Sequence, residues 1–249
     1  MFNYKLFCLE GGIIGFIAVT ALVVNGNSDF FDAFYGGAVQ SLRSPGLNTV
    51  VELITYIGNW QAITVICLLL LAFAKTRKTY GIPVTVVAIL SHVLNRIAKM
   101  LIKRPRPDAA NMLIEQGGFS YPSGHTATAI AVFILLAYLV CKNMDNKKKA
   151  ALCAVLLSAL GILISLSRIY LGVHYASDVL GGFFVGLASF GAVGMYFYPY
   201  KKEKEKWRAK MRAKEQAKID ALEDVEVEVV DREDMLEDLQ AQYDEDKRS

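Results

Sequence analysis

Cysteine is scarce in this chain, and histidine scarcer still. The four cysteines, Cys8, Cys67, Cys141 and Cys153, lie in or beside apolar runs, and none forms a C-x-x-C pair. That spacing excludes a disulfide framework and a zinc site, and leaves apolar packing as the reading for each thiol. Strict apolar–polar alternation is also missing. The apolar runs are too long and continuous for strands, which excludes a transmembrane β-barrel. No small-x-small cleavage pattern precedes Asn25, and Glu10 interrupts the first apolar run. That run therefore reads as an uncleaved membrane helix, not as a removable secretory leader.

What the chain does have is apolar length. Hydrophobic residues make up 54% of it although roughly the last fifty positions are densely charged, so the remainder is more apolar than a soluble domain of that size. A bilayer core about 30 Å thick takes roughly 20 apolar residues per helix, so two hundred residues hold about six helices. Apolar runs fall near residues 8–24, 60–74, 80–102, 123–140, 150–166 and 179–198. Residues 49–58 either extend the second run or form a separate short helix. Phe30, Phe31, Phe34 and Tyr35 repeat at helical spacing, which fits a helix lying in the interface or one packed against other helices. The expected fold is all-α, a polytopic six-helix transmembrane bundle over residues 1–200, followed by a charged tail over 201–249.

The net charge of +3 hides a segregation. Residues 201–218 carry nine Lys/Arg against three Glu, and residues 219–249 carry thirteen Asp/Glu against three Lys/Arg. The basic stretch reads as helix able to lie on anionic headgroups, and the acidic end as solvated or disordered chain. A cytoplasmic partner for this tail is a further expectation; nucleic acid is not an expected partner. Cytoplasmic loops carry excess Lys and Arg. Six spans place residues 75–78, 142–149 and 201–214 on one side, taken as inside together with both termini. Residues 105–122 and 167–178 then lie outside. Lys99, Lys103, Arg104 and Arg106 form a basic cluster on that outer side, against the rule, and an anion to bind would account for it.

Three polar clusters sit at outer helix ends, where ionisable groups mark function. Lys99 and Arg106 bracket a helix end that Pro105 and Pro107 close. A Lys supplies a mobile charge and an Arg a planar fork for two phosphate oxygens. Tyr121-Pro122-Ser123-Gly124-His125 opens an apolar helix, so unpaired amides form an anion nest beside a histidine able to pass a proton. Arg168 adds a second fork, and His174 and Asp178 are four apart, so a carboxylate can fix the imidazole tautomer. The bland readings are a snorkelling helix end, a helix cap and a structural His–Asp pair. The three clusters together suit phosphoryl transfer through a phosphohistidine better than any bland reading of each alone. His92 lies inside the third run, outside these clusters, and reads as an ordinary helix residue.

In order, the clusters read Lys99-x6-Arg106-Pro107, Pro122-Ser123-Gly124-His125 and Ser167-Arg168-x5-His174-x3-Asp178. Over roughly residues 60–198 the chain thereby resembles the type 2 phosphatidic acid phosphatases, with every signature position matched. The resemblance implies roles. His174 is the nucleophile, Asp178 orients it, and His125 protonates the leaving group. Lys99, Arg106, Arg168, Ser123 and the Gly124 amide bind the phosphate oxygens. It implies no cofactor and no metal.

The expected activity is hydrolysis of a membrane lipid phosphate or diphosphate at the extracytoplasmic face of the cell membrane. Undecaprenyl diphosphate, phosphatidylglycerol phosphate, phosphatidic acid and diacylglycerol diphosphate are the candidate substrates. A lipid phosphotransferase using the same site is the nearer alternative. A lipid-binding scaffold would tend to lose a catalytic histidine, and both are present. Vanadium-dependent haloperoxidases share the signature, but they are largely soluble proteins.

Overall fold

The structure, a computed structural model, describes residues 3–200, 202–205, 207–217 and the single positions 219, 232 and 235. Its regular elements are helices, with no strand among the described residues. The chain divides into a larger unit up to Phe197 and a smaller one from Tyr198 onward.

In the larger unit, α1 is Tyr4–Val24, α2 is Asp29–Gln40, α3 is Pro45–Ile57 and α4 is Trp60–Ala72. A short α5, Ala74–Thr76, and a π-helical turn, Arg77–Gly81, lead into α6, Ile82–Ile102. Then come α7, Gly124–Asn143, α8, Lys147–Tyr170, and α9, Ala176–Phe197. Among the described residues five stretches are long and apolar enough to cross a membrane: α1, Ala74–Ile102, α7, α8 and α9. The pair α3 and α4, bent by 48° at Gly58 and Asn59, makes a sixth when counted as one span. This resolves the open choice at residues 49–58: they belong to a separate short helix. The protein is a multi-pass membrane protein.

Connection lengths dictate the polarity of the bundle. Short loops make α7, α8 and α9 antiparallel neighbours, so one end gathers the end of α6, the start of α7, the end of α8 and the start of α9. The other end gathers Lys75, Lys78, Lys142 and Lys147. α1 runs between the same two levels. The Tyr4 ring lies 6.1 Å from Tyr138 near the lysine end, and Thr20 Oγ1 is 2.9 Å from the Tyr121 hydroxyl at the other. α2 and α3 fasten to the end of α8. Gln40 Nε2 donates to the Ile169 carbonyl at 3.2 Å, Arg43 Nε to the Tyr170 carbonyl at 2.8 Å, and the Tyr170 hydroxyl to Asn48 Oδ1 at 2.7 Å. The aromatic residues Phe30, Phe34 and Tyr35 of α2 remain exposed.

Close helix approach is set by glycine, because in lipid the packing of small residues replaces the hydrophobic effect between helices. A Cβ on Gly191 would stand 2.5 Å from the Leu9 nitrogen, which lets α9 touch the α1 backbone. A Cβ on Gly182 would stand 2.5 Å from the Ser123 carbonyl oxygen, so α9 meets the first turn of α7 backbone to backbone. In the smaller unit, residues 202–205 and 207–217 are helical. The expected solvated acidic end lies outside the described residues, apart from isolated positions.

Overpacking of this kind costs about 1–3 kcal/mol. Gly182→Ala is expected to lower the melting temperature of the protein in detergent. Gly37→Ala, where a Cβ meets nothing within 4 Å, serves as the unchanged control.

Candidate active site

The polar end of the bundle is organised by one buried carboxylate. Asp178 opens α9 and is wholly buried. Its Oδ2 accepts from the Ser120 hydroxyl and from the Tyr175 amide at 2.9 Å, and faces His174 Nδ1 at 3.3 Å. Its Oδ1 accepts from Arg104 Nη1 at 2.8 Å. His174 precedes α9 and does not share a helical turn with Asp178, yet the two meet as the four-residue spacing implied. With Nδ1 turned to the carboxylate and to Ser120 Oγ at 3.3 Å, the imidazole presents Nε2 on its other side. There Arg106 Nη1 stands 3.3 Å away. Burial pushes the His174 pKa down to about 3 against the opposing pull of Asp178, so the ring is neutral and Nε2 carries its lone pair.

The cations are held by carbonyls and neutral side chains. Lys103 takes a left-handed backbone (φ 50°) and ends α6, which sends Arg106 onto the loop. Its Nε donates to the carbonyls of Gly117 and Gly118, at 3.1 and 3.0 Å, and Nη1 donates to the Val173 carbonyl at 2.6 Å. Burial lowers its pKa and Asp178 partly restores it. Lys99 Nζ donates to the carbonyls of Phe119 and Ser120, at 2.6 and 2.8 Å. Arg168, 1% exposed, donates from Nη1 to Thr55 Oγ1 at 2.6 Å and from Nη2 to Gln116 Oε1 at 2.9 Å. Its buried Nε has no acceptor among the described residues.

The start of α7 completes the group. Ser123 is the N-cap residue and is wholly buried; its amide donates to the Asp178 carbonyl at 2.9 Å, and its Oγ accepts from Thr126 Oγ1 at 3.0 Å. Gly124 stands where a Cβ would come within 3.1 Å of Asn95 Oδ1. His125 Nε2 pairs with the side-chain oxygen of Asn59.

A cavity of about 1000 Å³ joins these groups to the flank of the bundle. Lys99, Arg106, Gly124, His125 and His174 line one end of it, and it continues between α4 and α6 past Ile63, Cys67 and Leu71. Side chains with exposed surface, among them Leu68, Ile89 and Val93, also line it. No group of three or more His, Cys, Asp or Glu side chains is arranged to hold a metal among the described residues.

Sequence reasoning missed the frame around Asp178. Arg104 belongs to the basic cluster, but its guanidinium is spent on carboxylates. Nη1 donates to Ser177 Oγ and Asp178 Oδ1, both at 2.8 Å, and Nη2 donates to Asp32 Oδ2 at 2.7 Å and Ser28 Oγ at 3.2 Å. Its plane also lies 4.0 Å from the Tyr175 ring centre. Burial opposes its charge, but Asp178 and Asp32 outweigh that and raise its pKa. Asp32 in turn accepts from the Ser177 amide at 2.7 Å and hydroxyl at 2.8 Å. The one signal was an acidic residue set in the aromatic face of a short helix.

A polar site lined by Lys99, Arg106 and two histidines at the end of a membrane bundle, continuing along an apolar flank, fits an integral membrane phosphatase. The family model of the PAP2 superfamily matches residues 80–203. Phosphatidylglycerophosphatase B of Bacillus subtilis is 32% identical over 179 residues, 70% of this chain and 88% of that protein. An undecaprenyl-diphosphatase of Sulfolobus acidocaldarius is 29% identical over 145 residues, 56% of this chain and 66% of that one. Among solved structures, a transmembrane PAP2 type phosphatidylglycerolphosphate phosphatase from Bacillus subtilis superposes with a TM-score of 0.68 at 29% identity, over 76% of this chain and 96% of that one. The chain belongs to the PAP2 superfamily.

Asp32→Ala removes one of the two carboxylates of Arg104 and leaves it paired with Asp178. Arg104→Met leaves the wholly buried Asp178 Oδ1 without its donor, and breaking such a pair costs about 3–5 kcal/mol. The Arg104→Met variant is expected to melt at a lower temperature than Asp32→Ala, and a thermal melt in detergent compares the two.

Proposed function

We propose that this protein hydrolyses a lipid phosphate or diphosphate monoester through a phosphohistidine at His174, on the extracytoplasmic side of the membrane. The observation that carries the reading is the cavity, whose cationic end holds both histidines and whose other end runs down an apolar helix flank. A phosphate enters the first and its hydrocarbon chain occupies the second. The names of the relatives point to phosphatidylglycerol phosphate or undecaprenyl diphosphate, with phosphatidic acid a further candidate.

In this reading the residues act in turn. Lys99, Arg106 and Arg168 neutralise the phosphate oxygens, helped by Ser123 and the Gly124 amide, and the orphaned Nε–H of Arg168 is a donor that such an oxygen satisfies. His174 Nε2 attacks phosphorus while Nδ1–H leans on Asp178. The N–P bond forms as the P–O bond to the lipid breaks, and His125 hands a proton to the departing oxygen. Water then attacks the phosphohistidine. His125 takes its proton, the N–P bond breaks, and inorganic phosphate leaves. Neutralisation of charge in a dehydrated site supplies most of the catalysis.

The sidedness rests on charge. The lysine-bearing end of the bundle belongs in the cytoplasm by the positive-inside rule, which leaves the opposite, catalytic end outside and both termini inside. The tail, residues 201–249, is then cytoplasmic, positioned to lie on anionic headgroups or to recruit a partner.

Purified protein in detergent with EDTA is expected to release phosphate from at least one of phosphatidylglycerol phosphate, undecaprenyl diphosphate and phosphatidic acid. His174→Ala is expected to lose at least about three orders of magnitude of that rate, as removal of a nucleophile does. Phosphate moved to a second lipid, with none released, would replace hydrolysis by transfer; no reaction with any lipid by folded protein would overturn the reading. In a background with the four native cysteines replaced, an impermeant thiol reagent applied to intact cells is expected to label Asp108→Cys and not Asp145→Cys. The reverse pattern would turn the protein over.

A further inference from the structure

Two side chains in the cavity have no part in the chemistry above. Arg96 and His92 line it from the same face of α6 as Lys99, at spacings of three and four residues. At about 1.5 Å of rise per residue, Arg96 lies roughly 4.5 Å and His92 roughly 10.5 Å from Lys99 along the helix axis, toward the apolar end. Neither is needed to hold the bundle together. The face of α6 that packs inward carries Ser91, Asn95 and Ala98, all buried, whereas Arg96 and His92 are exposed. Arg96 has no carboxylate within ion-pair distance among the described residues, in contrast to Arg104 with its two. An arginine inside a membrane-spanning helix is costly and marks a place where an anion is met. This one lines the cavity between Lys99 at its cationic end and Cys67 and Leu71 at its apolar end.

We infer that Arg96, with His92 one turn further along, is a second anion subsite that receives the inner phosphate of a lipid carrying two. The ligand class is a lipid whose scissile outer phosphate is followed, toward the chain, by another phosphate. In a polyprenyl diphosphate the two are bonded directly; in phosphatidylglycerol phosphate a glycerol separates them. The guanidinium fork offers two donors to that group, and the imidazole offers one N–H. A lipid with a single phosphate leaves the subsite unused. Arg96 is then a specificity-determining residue for the reaction proposed above, and the inference rests on that reading.

The test compares wild type, Arg96→Gln and Arg96→Lys on undecaprenyl diphosphate, phosphatidylglycerol phosphate and phosphatidic acid in detergent. Loss of a charge-assisted hydrogen bond predicts a fall of roughly ten- to hundredfold in kcat/KM for Arg96→Gln on a two-phosphate lipid. The fall is expected mainly in KM, with phosphatidic acid changed less than about twofold, because the contact is made before and during the chemical step alike. Arg96→Lys keeps the charge and is expected to restore part of the loss. A spared diphosphate with impaired phosphatidylglycerol phosphate, or the converse, names the spacing that the subsite accepts. An equal fall on all three lipids, or no fall on any, overturns the subsite and leaves the phosphatase reading standing. A wild-type protein that acts on none of the lipids overturns both. Should Arg96→Gln not fold, the wild type alone decides. Its KM for a two-phosphate lipid is expected to lie several-fold below that for phosphatidic acid, and the reverse order overturns the subsite.

Discussion

The burial of Asp178 is the constraint around which the polar end of this membrane bundle is assembled. An ionised carboxylate with no exposure is tolerated only if its oxygens are satisfied. Here one oxygen takes Ser120 and the Tyr175 amide and the other takes Arg104. Ser120 and Arg104 come from the loop between α6 and α7, and the Tyr175 amide from the turn before α9. Satisfying the carboxylate therefore draws the loop after α6, the turn before α9 and, through Arg104 and Asp32, the start of α2 to one point. His174 is oriented by the same group. The interaction that gives the imidazole its tautomer is also the one that closes the end of the bundle.

The helices were largely legible in the sequence because membrane spanning requires unbroken apolar runs of a length fixed by the bilayer. The second span was legible only in part. Gly58 and Asn59 interrupt it with a 48° bend, and residues 45–57 are too mixed in character to announce whether they span or cap. The candidate site residues stood out for a related reason: Lys99, Arg106, His125, Arg168, His174 and Asp178 are ionisable groups at or beside apolar helix ends. The structure brings all of them to one end of the molecule, with Ser123 and Gly124 at the start of α7.

Their supporting residues could not be found in that way. Ser120, Thr55, Asn59 and Gln116 are ordinary polar residues in polar or mixed segments, and only the fold brings them within bonding distance of partners 52 to 113 positions away. Arg104 was visible but indistinguishable by composition from its neighbours Lys103 and Arg106. Which basic residue faces the cavity and which faces a carboxylate is settled by how the chain turns at Lys103, where α6 stops in a left-handed residue.

The break between α3 and α4 has a mechanical consequence. Thr55 lies just before it and holds Arg168, and Asn59 lies within it and holds His125. One corner of the backbone thus sets the distance between the Arg168 guanidinium and the His125 imidazole. A lever with both contacts on a single fulcrum cannot adjust one without the other. Any change in the angle of that corner moves both side chains in the same stroke.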